Sequence, residues 1–191
     1  LGVTLRARWV SRHAGRCTEG GHPGQPPTQL AGRRFIHFEI GWNYRMTNLQ
    51  AALGLAQLEN IEMHIQKKRH LGGLYYEGLI GIKRFQLPLI KNDWSENIWW
   101  VFGLVAESPQ LVESTVNELA SLNIGTRPFF WCMHEQPVFL NMGLFKSESY
   151  PVAEKLARNG FYLPSGLGLS DDDINSVIAS FKAIVEEDIV D

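Results

Sequence analysis

Apolar and polar residues recur with a helical period along one long stretch of the chain. Thr47 and Gln50 have the spacing of a capping box, in which each side chain satisfies a free backbone N–H of the first turn. The apolar positions that follow, at spacings of three and four residues, are Ala51, Leu55, Leu58, Ile61 and Ile65. We predict one long helix from about Thr47 to about Leu79, with Gly72-Gly73 as the place for any bend.

Shorter apolar segments then alternate with helical ones. The predicted strands are Phe85–Leu89, Asn97–Ala106, Ile124–Pro128 and Phe161–Leu163. The predicted helices are Pro109–Leu122, Tyr150–Asn159 and Asp171–Glu187, with Ser170 as the cap of the last one. Two or three antiparallel strands with helices on one face form the expected core. The pattern therefore predicts an α/β chain of the α+β kind, with a long helix and a small antiparallel sheet covered by helices.

The first 32 residues differ from the rest of the chain. They are rich in glycine and proline, which break any helical or strand period beyond Val10. We predict an atypical, irregular segment over residues 1–32 and a folded small domain over residues 33–191. A flexible terminus, an unusual insertion and a reading frame shifted upstream of Gly24 all remain open for the first segment, and the last two together are favoured.

Composition narrows the function classes. Hydrophobic residues make up 45% and charged residues 20% of the 191 residues, which fits a globular protein. No apolar run reaches the ~18 to 20 residues that cross a bilayer, and the N-terminus lacks the pattern of a signal peptide. We therefore predict no membrane partner. The two cysteines are too few for a disulfide framework, so the cytoplasm is the expected compartment.

A basic N-terminal segment raises the question of nucleic acid. Residues 1–34 carry six arginines and one glutamate, and such a segment can attract phosphate backbones. It contains no lysine, however, and no helical stripe of charge. We therefore predict no nucleic-acid partner.

Candidate binding chemistry precedes the long helix. Asn43 and Arg45 come just before its predicted N-terminus, where free amides and the positive end of the helix dipole favour a phosphate. Asn43 offers two uncharged donors, and Arg45 offers a planar fork that pairs with phosphate or carboxylate. On spacing alone, a chain turn at Asn43 and a solvated charge at Arg45 are the better interpretation.

A second candidate lies at the end of a predicted strand. Arg127, beside the aromatic residues Phe129 and Phe130, suits an anionic or hydroxyl-rich ligand, but an aromatic core cluster explains it equally well. His134 can donate to a sugar hydroxyl or a phosphate, although a loop histidine is more often simply exposed. Cys132 and His134 lack the paired spacing of zinc ligands, so we predict no metal site.

Three parts of the chain, in family order, resemble the DegT/DnrJ/EryC1/StrS family of sugar aminotransferases. They are Gly41–Ala52, Ile124–Phe130 with His134–Pro137, and Pro151–Ala157 with Leu163–Gly166. The resemblance covers roughly residues 33–187 and corresponds to the C-terminal part of such an enzyme. It implies the C-terminal part of an aspartate-aminotransferase-like fold that uses pyridoxal phosphate (PLP).

The resemblance also implies a reaction and a division of the site. The family transfers an amino group, here expected from glutamate, to a keto-sugar on a nucleoside diphosphate, and works as a homodimer. The residue that matches Asn43 reaches the PLP phosphate of the partner subunit, and the one that matches Arg45 lies near the active-site mouth. Arg127, His134 and, more weakly, Ser165 are expected on the sugar-nucleotide side. No residue matches the lysine that binds PLP, so we expect no catalytic residue here.

Two alternatives remain open at this stage. One is a PLP-dependent sugar dehydratase, in which a histidine replaces the cofactor lysine. The other is a non-catalytic remnant that serves only as a dimerisation or binding module. The wide apolar stripe of the long helix and the tryptophans at positions 42, 94, 99, 100 and 131 favour large contact surfaces.

Overall fold

A computed structural model describes residues 4–5, 40–41 and 45–187 of the chain. The chain divides into two compact units. The larger holds residues 46–129 and 150–191, and the smaller holds residues 1–45 and 130–149. The helices of the larger unit are α1 (Asn48–Leu58), α2 (Ile61–Leu79), α3 (Pro109–Ser121), α5 (Pro151–Asn159) and α6 (Asp171–Glu187). Its strands are β3 (Phe85–Gln86), β4 (Phe102–Ala106), β5 (Arg127–Pro128) and β6 (Gly160–Leu163).

The four strands of the larger unit form an antiparallel sheet in the order β3-β4-β6-β5. Because side chains alternate across a strand, the β4–β6 register gives the sheet two different faces. Phe102, Leu104, Phe161 and Leu163 are buried on one face. They pack with apolar residues of α2, α3 and α6 in a single core, which contains Leu71, Tyr75, Leu79, Leu111, Leu119, Ile174, Ile178, Phe181 and Val185. The predicted α/β architecture is therefore confirmed, with four strands where two or three were expected.

The long helix is divided into two helices. The capping box is present as predicted, with the Thr47 backbone N–H donating to Gln50 Oε1 at 2.9 Å and the Gln50 N–H donating to Thr47 Oγ1 at 3.3 Å. The break lies at Glu59 and Asn60, so the prediction of one helix with a bend at Gly72-Gly73 is wrong. Asn60 Nδ2 donates to the Ala56 carbonyl at 3.1 Å, and this side-chain bond competes with the helical ladder. Gly72 and Gly73 lie inside α2, and they do not interrupt it because glycine, unlike proline, has a backbone N–H for the helical hydrogen bonds.

Three further helices agree with the sequence pattern to within one residue. α6 spans Asp171–Glu187 as predicted, and the Ser170 hydroxyl accepts from the Asp173 N–H at 3.2 Å. α5 begins one residue later than expected. α3 ends at Ser121 instead of Leu122 and is capped by Ser108, whose hydroxyl accepts from the Leu111 N–H.

Three predicted strands are too long. β4 begins at Phe102 instead of Asn97, because the chain turns before it. The Asn97 side chain accepts from the Trp99 N–H at 2.7 Å, and Trp99 has a φ of 56°, in the left-handed region that a strand cannot include. β3 and β5 are two residues each. Aromatic and branched residues thus occupied positions that tertiary packing, and not strand pairing, determines.

The smaller unit contains short elements. Two short antiparallel strands pair, β1 (Thr4–Leu5) and β2 (Ile40–Gly41). A 3₁₀ turn covers Met133–Glu135, and α4 spans Pro137–Asn141. The remainder of the predicted irregular segment lies outside the described residues. No helix in the described ranges is both long and apolar enough to cross a membrane.

The glycine pair of α2 provides a test of the packing. A Cβ added to Gly72 would lie 2.2 Å from Trp99 Cγ, whereas a Cβ added to Gly73 meets no atom within 4 Å. Both alanine substitutions gain the same helix propensity, so their difference isolates the Trp99 contact. We expect Gly73→Ala to raise the free energy of unfolding by about 0.5–1 kcal/mol. We expect Gly72→Ala to lower it by about 1–3 kcal/mol through overpacking.

Chemical denaturation of the two variants beside the parent chain measures both values. Equal effects of the two substitutions would contradict the packing of Trp99 against Gly72.

Candidate functional site

A cavity of about 550 Å³ opens in the larger unit, where β5 and β6 meet the loop that follows β6. Its lining includes Arg127 from β5, Tyr162 from β6, Trp100 from the segment before β4, and Ser165 with Gly166 from the loop. Volumes of this order are typical of small-molecule sites. The structure thus brings together two residues that were predicted from different parts of the sequence, Arg127 and Ser165.

Arg127 and Tyr162 form the polar wall of this cavity. They are register partners in the β5–β6 pairing, so their side chains lie on the same face of the sheet, opposite the core. Arg127 is exposed and Tyr162 is half-buried. No acidic residue is among the described residues that line the cavity, which leaves Arg127 as the source of a net positive charge. Such a wall favours an anionic ligand that has a flat face to place against an aromatic ring.

Phe129 is held firmly beside this wall. Its N–H donates to the Gly160 carbonyl at 2.9 Å. A Cβ added to Gly103 or Gly160 would lie 2.7 Å or 2.2 Å from the Phe129 ring. The aromatic residue next to Arg127 therefore packs on two glycines of the outer sheet face. This geometry supports the packing interpretation for Phe129 and leaves Arg127 at the cavity.

Hydrogen bonds to α2 and β4 fix the loop after β6. The Ser165 hydroxyl accepts from the Phe102 N–H at 3.0 Å and donates to the Leu163 carbonyl at 2.9 Å. Its one proton is thus used within the fold, and it offers a ligand only an acceptor. The Tyr75 hydroxyl donates to the Pro164 carbonyl at 2.9 Å.

Lys68 completes the attachment of the loop. Its ammonium Nζ donates to the Trp100 carbonyl at 2.8 Å and also to the Ser165 carbonyl. Burial lowers the pKa of the Lys68 amine below its ordinary value. Sequence reasoning missed both Lys68 and Tyr75. The available signal was their spacing, since positions 68, 72 and 75 share one helix face with the buried residues Leu71 and Leu79.

The other predicted site residues are not among the described residues that line this cavity. Arg45 is exposed and belongs to the smaller unit. His134 also belongs to the smaller unit, where it is buried within the 3₁₀ turn. Asn43 lies outside the described residues. Their roles stay predictions.

The smaller unit brings three potential metal ligands together. The ligand atoms of Cys132, His134 and Glu135 lie within 4.8 Å of one another, closer than the sequence spacing had suggested. All three come from one short turn, and each takes part in an interaction of the fold. We therefore assign no metal to this cluster.

The comparisons with known proteins agree on one family. A model of the DegT/DnrJ/EryC1/StrS aminotransferase family matches residues 23–182. The chain is 34% identical over 150 residues to GDP-perosamine synthase of Escherichia coli O157:H7, covering 78% of this chain and 39% of that protein. It is 30% identical over 155 residues to GDP-perosamine synthase of Vibrio cholerae, covering 80% of this chain and 41% of that protein.

Solved structures give the same fold. Spr1654 from Streptococcus pneumoniae in its PMP form has a TM-score of 0.67 and 25% identity, covering 76% of this chain and 37% of that one. DesV from S. venezuelae, in complex with a ketimine intermediate, has a TM-score of 0.66 at 24% identity, covering 81% of this chain and 41% of that one, and shows the fold alone. The chain spans about two fifths of the length of the relatives that it matches.

PLP is the cofactor of this family, but the described residues do not fit its covalent attachment. The lysine that binds PLP covalently needs a free amine in a desolvated setting. All seven lysines of the chain lie within the described ranges, and all except Lys68 are exposed. The Lys68 amine is occupied by two backbone carbonyls. We derive no chemical step through the cofactor from these residues.

The Tyr75 hydrogen bond predicts a specific response to pH. Burial raises the pKa of the Tyr75 phenol above its ordinary value of 10.0. The contribution of the Tyr75 phenol to the free energy of unfolding is therefore fully present below pH 10.0. It is lost as the pH rises above this value, because the phenol ionises in the unfolded chain but stays protonated in the folded one. We expect Tyr75→Phe to flatten this alkaline loss of stability. At neutral pH it should cost about 0.5–1.5 kcal/mol, since the hydrogen bond to Pro164 is removed.

Denaturation at several pH values between neutral and alkaline checks both effects. Tyr76→Phe is the matched control, because it leaves Tyr75 in place and should keep the alkaline loss of the parent. An unchanged alkaline limb in Tyr75→Phe would refute the account of this hydroxyl.

Proposed function

The chain belongs to the DegT/DnrJ/EryC1/StrS aminotransferase family, and from this premise we propose that it is the C-terminal part of a PLP-dependent aminotransferase acting on a nucleotide-linked keto-sugar. The name GDP-perosamine synthase, carried by relatives at 34% and 30% identity, supports a nucleotide-linked substrate. The amino donor in this proposal is glutamate. Residues 33–191 would form the small domain of the complete enzyme, which works as a homodimer.

The observation that carries the proposal is the cavity beside Arg127. It is open and has a volume of about 550 Å³, and its lining includes one cationic side chain and two aromatic side chains. A sugar nucleotide offers what such a wall recognises, because its phosphates pair with a guanidinium fork and its flat rings lie against aromatic faces. In this proposal Arg127 binds the substrate anion, and Tyr162 and Trp100 contact its rings. Ser165 shapes the floor and accepts at most one hydrogen bond.

Three further residues have roles of their own in the proposed enzyme. Asn43 donates to the PLP phosphate of the partner subunit, which a neutral amide can do without adding charge. Arg45 and His134 serve the sugar nucleotide, the first at the active-site mouth and the second through its ring N–H. The relatives are more than twice as long as the region matched, which supports a cofactor lysine outside residues 1–191.

A specific observation keeps a second candidate function, a binding module without catalysis. α1 contains no buried residue, and its exposed apolar side chains include Leu49, Leu53, Leu55 and Leu58. An apolar helix of this kind is suited to association. Sequencing of the coding region upstream of Leu1 distinguishes the two functions. An in-frame segment with a cofactor lysine supports the enzyme, and a stop codon supports the module. A histidine at the lysine position would instead indicate the dehydratase.

A pair of variants in the complete enzyme tests the division of the site. We expect Arg127→Ala to raise the Michaelis constant for the sugar nucleotide and to leave cofactor retention unchanged. We expect Asn43→Ala to weaken cofactor retention by about 1–3 kcal/mol, the usual loss when a charged acceptor loses a donor. Mixed dimers of one Asn43→Ala subunit and one unmodified subunit should recover part of the cofactor retention, because Asn43 acts on the partner subunit.

Arg69→Ala is the matched control for Arg127→Ala. Arg69 is exposed and pairs with Glu96 at 3.7 Å, away from the cavity lining. Steady-state kinetics and equilibrium dialysis of the cofactor give the two readouts. If Arg127→Ala and Arg69→Ala have the same Michaelis constant, the proposed substrate site is wrong.

A further inference from the structure

The cavity lies beside the point where two strands stop pairing. Phe102 and Leu163 form the last register pair between β4 and β6. Extending the same register by two residues places Trp100 opposite Ser165, yet these residues are outside the ladder. Both line the cavity. Strand pairing between the two chain segments therefore ends at this point, beside the cavity.

The Lys68 side chain bridges these two segments. Lys68 Nζ donates to the Trp100 carbonyl at 2.8 Å and to the Ser165 carbonyl. Two carbonyl oxygens that approach each other without a donor between them repel, so a shared donor stabilises their arrangement. An ammonium has three donors and no acceptor, so one amine satisfies both carbonyls at once. A methyl or methylene in its place would satisfy neither.

The supporting helix is fixed independently of this contact. On α2, one turn away from Lys68, Gly72 packs against Trp99, and Tyr75 stacks on Phe102 with ring centroids 4.9 Å apart. The Tyr75 hydroxyl also binds the Pro164 carbonyl. α2 is thus held by contacts besides those of Lys68, and Lys68 is the α2 residue that donates to the Trp100 and Ser165 carbonyls.

We propose that Lys68 is a positioning residue for the substrate cavity, which fixes the segments beyond the paired ends of β4 and β6 by donating to the Trp100 and Ser165 carbonyls. It touches neither substrate nor cofactor. It acts through the two backbone segments that carry the aromatic wall and the floor of the cavity. The inference that this positioning serves substrate binding rests on the proposed function, whereas the positioning itself does not.

Three variants of the complete enzyme separate positioning from general stability. Lys68→Met keeps the length of the side chain and removes all donors. Lys68→Arg keeps donors and charge. Lys67→Met is the matched control, because Lys67 is the exposed neighbour on the same helix. The first readout is hydrogen exchange without ligand, and the second is steady-state kinetics with the sugar nucleotide.

We expect Lys68→Met to speed exchange by about tenfold or more at residues 100–102 and 165–169, with α6 unchanged. We expect its Michaelis constant for the sugar nucleotide to rise by about tenfold, with kcat within about twofold of the parent. Lys68→Arg should recover most of both effects, and Lys67→Met should behave as the parent. This set of results supports the proposal.

Other results overturn it or redirect it. Exchange in Lys68→Met that equals exchange in Lys67→Met, or that rises equally in α6, overturns the positioning role. Faster local exchange with an unchanged Michaelis constant supports the positioning of the loop but removes its link to substrate. That outcome, together with a normal Arg127→Ala, would count against the proposed substrate cavity. A normal Lys68→Met beside a defective Arg127→Ala would overturn only the inference about Lys68.

Discussion

The cavity end of this fold depends on one face of α2, which has to meet the place where the β4–β6 ladder ends. The backbone carbonyls of Trp100, Pro164 and Ser165 lie just beyond the paired residues, and no strand partner within the described ranges donates a hydrogen bond to them there. Lys68 and Tyr75 supply the donors from positions seven residues apart on one helix face. Gly72, between them, leaves the space that Trp99 fills. The same two turns of helix thus donate hydrogen bonds to these carbonyls and pack closely against Trp99.

The sequence predicted the elements that are determined locally and missed those that depend on tertiary contacts. α6 and the capping box of α1 follow from amphipathic period and capping residues, and both are found as predicted. The break at Asn60 and the late start of β4 depend on side-chain bonds to the backbone, which a hydrophobic pattern does not reveal. At the candidate site, Ser165 was predicted through a family resemblance, and Arg127 was predicted from its position at a strand end beside aromatic residues as well as from that resemblance. Lys68 was missed because a lysine on a helix is usually a solvated charge.

The family and the length of the match together define what this chain contributes. It spans about two fifths of its curated relatives and contains a formed cavity with one cation and no acidic lining. Six of its seven lysines are exposed, and the Lys68 amine donates to two backbone carbonyls. In the proposed enzyme the chain therefore supplies substrate recognition, and the cofactor chemistry belongs to residues outside it.

Filling the cavity from its own wall tests this account most directly. Gly166 lines the cavity, and a Cβ added there meets no atom within 4 Å, as is also true of Gly54 on α1. The measurement is the dissociation constant of the complete protein for a nucleoside-diphosphate sugar, by calorimetric titration, in Gly166→Leu and in the control Gly54→Leu. The account predicts that Gly166→Leu weakens binding by about tenfold or more, since the added side chain excludes the ligand, and that Gly54→Leu stays within about twofold of the parent. Equal affinities in the two variants would contradict it.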